Sequence, residues 1–208
     1  MANNDVVHSL LQIKAIKLNT ANPFTWASGW TSPIYCDNRK TLSYPAIRKL
    51  ISQEFTKMIT SKYPDVEVIA GVATGAIAHG ILVAENMGLP FVYVRSVPKN
   101  HGLENLIEGE VQPGKKVVVV EDLISTGQSS LKAVEALRGR GCIVQGMVAI
   151  FTYGFAEALN NFIQSNVNLD TLANYNELID QAVSEKYVGK DHLVLLKSWR
   201  EDPANWHP

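Results

Sequence analysis

Three observations predict an α/β fold with a parallel sheet covered on both faces. Strand-like and helical stretches alternate between residues 66 and 152. The strands Val117–Glu121 and Ile143–Thr152 are apolar without polar alternation. Of the 208 residues, 46% are hydrophobic and only 19% charged, against about 25% charged in an average globular chain. Alternating strands and helices build βαβ units, and a strand buried on both faces loses its in–out alternation.

The elements follow in order. Val6, Val7, Leu10, Leu11, Lys14 and Leu18 mark one amphipathic helix with an apolar stripe. Residues 24–45 (FTWASGWTSPIYCDNRKTLSYP) have no helical period and read as loops with short strands. A second helix starts at Tyr44 with Pro45 in its first turn, and Ile47, Leu50, Ile51, Phe55, Met58 and Ile59 are its buried face. Val66–Gly71 is a strand, residues 75–87 a helix stopped by Gly88, and Phe91–Arg95 the next strand. Residues 96–114, with Gly102, Gly109 and Gly114, show no period and read as a long mobile loop; loops of that length in a compact domain are usually functional. After Val117–Glu121 comes a helix over residues 128–138, ended by the GRG of Gly139–Gly141, then the strand Ile143–Thr152. From Tyr153 the pattern is helical, with a short strand near Val167–Leu169.

At roughly 100–200 residues per domain the chain is one domain. Lys plus Arg number 19 and Asp plus Glu 20, a net charge of -1, which disfavours disorder and a broad nucleic-acid surface. Cys36 and Cys142 are far apart and form no CxxC pair, so a zinc site or disulfide framework is not expected and a reducing compartment is. Lys14 and Lys17 interrupt the N-terminal apolar pattern, and the longest apolar runs are Val117–Val120 and Met147–Phe151. A membrane helix needs about 20 such residues. The expectation is a soluble, cytoplasmic protein without a targeting segment.

The chemistry concentrates in residues 117–137, VVVVEDLISTGQSSLKAVEAL. A buried strand runs into two adjacent carboxylates, Glu121 and Asp122, then into Ser125, Thr126, Gly127, Gln128, Ser129 and Ser130 at the opening of a helix. Ligands of open parallel sheets sit beyond the carboxyl ends of the strands. A helix N-terminus offers unpaired N–H groups and partial positive charge, which suit a phosphate. Carboxylates beside such a cradle make sense facing a polyol, whose hydroxyls they accept; a phosphate beside a diol is a ribose phosphate. The competing reading is a strand–turn–helix in which Asp122 and the hydroxyl residues merely cap the helix. No GxxxxGK[ST] occurs and no GxGxxG follows a strand, so the usual nucleoside-triphosphate and dinucleotide fingerprints are missing.

Residues 117–130 resemble the phosphoribosyl diphosphate (PRPP) motif of type I phosphoribosyltransferases. FTWASGWTSPIYCDNR resembles the N-terminal hood signature of the orotate phosphoribosyltransferases in particular, and RSVPKNHG, residues 95–102, resembles their catalytic loop. The resemblance implies a central parallel sheet flanked by helices. It also implies a hood from residues 1–45 and the C-terminal segment. The implied reaction moves ribose 5-phosphate from PRPP to orotate, giving orotidine 5'-phosphate and diphosphate. Matched to the family, Glu121 and Asp122 hold the ribose hydroxyls. The run Leu123, Ile124, Ser125, Thr126, Gly127, Gln128 and Ser129 surrounds the 5-phosphate, with Ser125 also near orotate. Arg95, Lys99 and His101 attend the diphosphate as catalytic residues, and the loop bearing them comes from the partner of a homodimer. Mg²⁺ is the implied cofactor, held by PRPP and water near Asp122 rather than by a protein cage. No nucleic acid or membrane partner is implied.

Several family members have Lys where this chain has Ala27, Gly75 and Ser96. That leaves Arg39 and Lys40 as substitutes for holding the orotate carboxylate and Tyr35 as a stacking surface for the pyrimidine, although Trp26, Trp30 and Tyr35 also read as hood core. Val72-Ala73-Thr74-Gly75 reads either as a diphosphate border with free N–H groups or as an ordinary turn. His8, His79 and His192 are expected in helices as packing or surface residues, and Trp199 and Trp206 in packing of the C-terminal end. Two other functions share the motif: a phosphoribosyltransferase for another base, which the hood signature disfavours, and a non-catalytic PRPP-sensing regulator, which the retained Arg95, Lys99 and His101 disfavour.

Overall fold

The computed structural model describes residues 2–26, 28–96 and 106–206. Helix α1 (Ala2–Gln12) is shorter than its apolar stripe implies. Lys14 takes a left-handed backbone (φ 55°), with its N–H donating to the Leu11 carbonyl, and the helix stops. The expected continuation to Leu18 is instead β1 (Ile16–Leu18). Strands β2 (Phe24–Thr25), β3 (Thr31–Ser32) and β4 (Ile34–Cys36) follow; β1 pairs with β4 and β2 with β3, all antiparallel. Pairing of Ile16 with Cys36 buries Ile16 completely, and that tertiary partner overrides the helical spacing. A 3-10 helix (Asn38–Ser43) leads into α2 (Pro45–Lys62), where Pro45 occupies the first turn as expected.

The core alternation then runs β5 (Val68–Val72), α3 (Ile77–Met87), β6 (Phe91–Val94), β7 (Ile107–Glu108), β8 (Lys116–Ile124), α4 (Gln128–Gly139), β9 (Ile143–Thr152), α5 (Ala156–Gln164), β10 (Leu169–Asn174), α6 (Tyr175–Ser184) and α7 (Leu193–Glu201). The six-stranded sheet has the order β10–β9–β8–β5–β6–β7, parallel except for the edge strand β7.

Several boundaries differ from expectation. Part of the stretch expected to be loop, residues 96–114, is β7, whose Ile107 is buried opposite Val94. β8 continues past Glu121 to Ile124, because β9 is long enough to pair with it as far as Thr152. Both carboxylates are therefore strand residues on opposite faces. The strand expected near residues 167–169 is β10, six residues long; only Leu172 and Ala173 are deeply buried in it, too few to show a strand period. Its last residue, Asn174, caps α6 in a reciprocal box with Glu177. His192 sits in a short 3-10 helix (Lys190–His192) and takes the N-cap position at the start of α7.

The unbroken valines of β8 are explained by two cores. Val118 and Val120 pack with Val148 and Ile150 against α1, α2, α3, α6 and α7. Val117 and Val119 pack with Met147 and Ala149 against α4 and α5. The carboxyl ends of β5, β6 and β8 meet at one rim, and the 3-10 helix is tied to that rim by Asn38 Nδ2 donating to the Asp122 main-chain carbonyl at 2.6 Å.

Candidate active site

A cavity of about 840 Å³ opens at this rim. Its walls come from four places in the chain. Cys36, Asp37, Asn38 and Arg39 form the hood side; Val72, Ala73, Thr74 and Gly75 form the turn after β5; Val94, Arg95, Ser96 and Leu106 form the side after β6; and Glu121, Asp122 and Leu123 of β8 stand opposite Ser129 and Lys132 of α4.

The two carboxylates have different surroundings. Glu121 is 5% exposed, and both its oxygens already accept hydrogen bonds, Oε1 from the Asp122 N–H and Oε2 from Ser130 Oγ, each at 2.8 Å. Burial first, then the Asp122 carboxyl beside it, push Glu121 well above the ordinary carboxylate range. It braces the junction between β8 and α4. Asp122 is the less buried of the two, and the turn after β5 closes on its carboxylate: a Cβ added at Gly75 would lie 2.3 Å from Asp122 Oδ2. Any side chain there would require the Asp122 carboxylate to move.

Of the remaining motif residues, Ser129 lines the cavity, while Ser125, Thr126 and Gly127 form the turn into α4 and Gln128 is its first residue. Gly127 has φ +78°, and a Cβ on it would lie 2.6 Å from the Phe162 ring, so the turn demands glycine both in conformation and in space. Asn161 Nδ2 donates to the Thr126 carbonyl and Gln128 Nε2 to Glu157, holding the turn from α5. Ile124 is fully buried in the α4 and α5 core. Arg95 lines the cavity and pairs with Glu108 at 3.4 Å, while its N–H donates to the Leu106 carbonyl at 2.8 Å. Lys99, His101 and Ala27 lie outside the described residues.

On the hood side Arg39 pairs with Asp37 at 3.0 Å, and that contact raises its pKa further. Lys40 turns away to the carbonyls of Ile13 and Lys14. Tyr35 is 41% exposed, touches Phe24, and is not part of the cavity wall. Trp26 and Trp30 belong to an aromatic cluster with Tyr153, Phe155 and Trp199, so they build the hood's core. Lys132 and Asn38 are among the wall residues to which the motifs assign no role. Lys132 lies three residues after Ser129, on the same helical face, and that spacing was readable. Asn38 was not, because its role depends on a carbonyl 84 residues away.

Residues 38–158 match the model of the phosphoribosyl transferase domain family. The chain is 62% identical over 197 residues to an orotate phosphoribosyltransferase of Phocaeicola vulgatus, covering 95% of this chain and 93% of that one. It is 59% identical to that of Porphyromonas gingivalis, covering 97% and 96%. Among solved structures, an orotate phosphoribosyltransferase from Aeropyrum pernix matches with a TM-score of 0.76 and 26% identity, over 88% of this chain and 99% of that one. Sequence identity near 60% along almost the whole length, in a fold the solved structure shares, makes this chain a member of the orotate phosphoribosyltransferase family.

Proposed function

We propose that this phosphoribosyltransferase breaks the bond between C1 of PRPP and its diphosphate oxygen and joins C1 to the ring nitrogen of orotate. The products are orotidine 5'-phosphate and diphosphate. The observation that carries this reading is the cavity itself, where a carboxylate-bearing strand end, a helix N-terminus and an arginine converge. Asp122 accepts the ribose hydroxyls, and Glu121 uses its remaining lone pairs while keeping β8 and α4 in register. The turn Ser125–Ser129 and the N–H groups opening α4 bind the 5-phosphate. Arg95 attends the diphosphate, where charge accumulates as the bond breaks. Arg39 is the cation on the hood side within reach of an orotate carboxylate.

Mg²⁺ fits this cavity as a hard cation drawn to oxygen. Asp37, Glu121, Asp122 and Glu135 line the wall, with Asp37 paired to Arg39 and Glu121 to Ser130, and among the described residues no three His, Cys, Asp or Glu side chains cluster as a metal cage. Most ligands would come from PRPP and water, with Asp122 the protein group beside them. Bound there, the ion offsets the charge of the diphosphate. The site is shared in a homodimer, with Lys99 and His101 reaching the PRPP held by the other subunit. The enzyme works in the cytoplasm, its thiols Cys36 and Cys142 free; no helix among the described residues is long and apolar enough to cross a membrane.

The test is a turnover assay with PRPP and a panel of bases. Orotate absorbance is expected to fall only when PRPP and Mg²⁺ are both present, with little reaction of uracil, hypoxanthine or adenine. Comparable turnover of a purine base would reject orotate as the acceptor, and full activity in excess chelator would reject the metal.

A further inference from the structure

The hood wall of the cavity is anchored by a chain of buried polar groups that begins on α3, away from the cavity. His79 is fully buried, and its Nε2 lies 3.0 Å from Thr41 Oγ1. Thr41, also fully buried, donates its single hydroxyl proton to the Asn38 carbonyl at 2.5 Å. With that proton committed, the Thr41 oxygen can only accept from His79, so the imidazole carries its proton on Nε2. Among the described residues His79 Nδ1 has no hydrogen-bond partner, which leaves it as a bare lone pair. Asn38 continues the chain: its Nδ2 donates to the Asp122 main-chain carbonyl, and its Oδ1 faces Cys36 Sγ at 3.3 Å. Three elements distant in sequence are thereby joined, α3 to the 3-10 helix and the 3-10 helix to the end of β8.

We propose that His79 is a positioning residue for phosphoribosyl transfer, donating from Nε2 through Thr41 and Asn38 to hold the hood wall bearing Asp37 and Arg39 in register with Asp122. The proposal rests on the reading of the cavity as the PRPP and orotate site. Its physical content is directional. Each donor in the chain has one acceptor, so removing the first frees the Thr41 hydroxyl to turn and the 3-10 helix to shift against β8. Displacements of about 1 Å at a reacting centre can cost on the order of 100-fold in rate. A histidine that only filled space would be replaceable by an apolar side chain of similar size.

The experiment compares wild type with His79→Leu, His79→Gln, Thr41→Val and the His79→Leu/Thr41→Val double variant. Nitrogen-15 NMR of the imidazole is recorded alongside kcat and KM for PRPP and orotate. The resonances of His79 are expected to show the Nε2–H tautomer. His79→Leu is expected to lose at least about tenfold in kcat/KM, and Thr41→Val, which keeps the shape of the side chain, a similar amount. The double variant should be no worse than either single one, because all three break the same chain. His79→Gln, whose amide N–H reaches the Nε2 position, should recover to within about threefold of wild type. An Nδ1–H tautomer, unchanged kinetics in folded Thr41→Val or His79→Leu, or losses that multiply in the double variant would overturn the proposal. Should wild type not turn over orotate at all, the functional reading fails, while the tautomer still decides whether the chain of donors exists.

Discussion

At the scale of single residues, Asp122 and His79 differ in what they expose and therefore in how each can be tested. Asp122 presents a carboxylate to the cavity, and in Asp122→Asn a charge-assisted hydrogen bond to a ribose hydroxyl is lost. Such a bond is worth roughly 1.5–3 kcal/mol, so kcat/KM should fall about 10- to 150-fold with the thermal midpoint little changed. Normal activity in the folded variant would show that this carboxylate does not hold the ribose. For His79, burial lowers the pKa from 6.5 to about 4, the Asp122 charge opposing and Arg48 adding to the fall. The unfolded chain therefore binds a proton that the folded one refuses between these two values. Stability is fully present above the unfolded pKa and is lost as pH falls toward the folded one. Relative to His79→Gln, wild type should lose on the order of 3 kcal/mol of unfolding free energy between pH 7 and pH 4. Urea midpoints for the two proteins at both pH values measure this; a constant difference would mean that the imidazole titrates normally.

At the scale of elements, the small hood strands β2 and β3 cannot stand alone, since an isolated two-stranded hairpin is marginal in water. They are held by α7. Trp199 is fully buried, its ring 5.6 Å from Trp26, 5.5 Å from Phe155 and 5.4 Å from Tyr175, and its Nε1 donates to the Thr31 carbonyl at 3.2 Å. Trp199→Ala would leave a cavity and an unpaired carbonyl on β3. Loss of a buried aromatic of this kind costs about 3–5 kcal/mol, and activity should fall with it because the same hood carries Asp37 and Arg39. A urea titration at fixed protein concentration reads the first effect; a loss below about 1 kcal/mol would mean that the hairpin does not depend on α7.

At the scale of the whole molecule, the hydrogen bond from the Arg95 N–H to the Leu106 carbonyl brings together the two ends of the segment that contains Lys99 and His101. Whether those residues serve their own cavity or a neighbour's is decided by mixing subunits. Dimers of Asp122→Asn and dimers of Lys99→Ala should each be nearly inactive. After reversible dissociation and random pairing, about half the dimers are hybrids, each with one intact site of two, so about a quarter of wild-type activity should return in a twofold assembly. Confirmed hybrids without recovered activity would place the loop in its own subunit.

The residues by themselves determined the α/β class, the parallel core strands and the β8–turn–α4 unit, because these depend on local spacing: unbroken valine runs, a proline opening α2, a glycine before α4. The family followed from the likeness of three motifs, not from spacing. They also placed Arg95, Asp122, Arg39 and the Val72–Gly75 turn among the candidates that the fold brings to one cavity. Only the tertiary structure decided the rest. Helix α1 stops before Ile16 because a strand from the hood is there to pair with it, and β7 exists because β6 offers it an edge. Glu121 turns inward because β8 outlasts its valines and Ser130 waits on the next helix. His79 reads as one more apolar-face histidine until Thr41, thirty-eight residues earlier, is found 3.0 Å from its Nε2. In each case the deciding partner lies on another element, and spacing within one element carries no information about what packs across it.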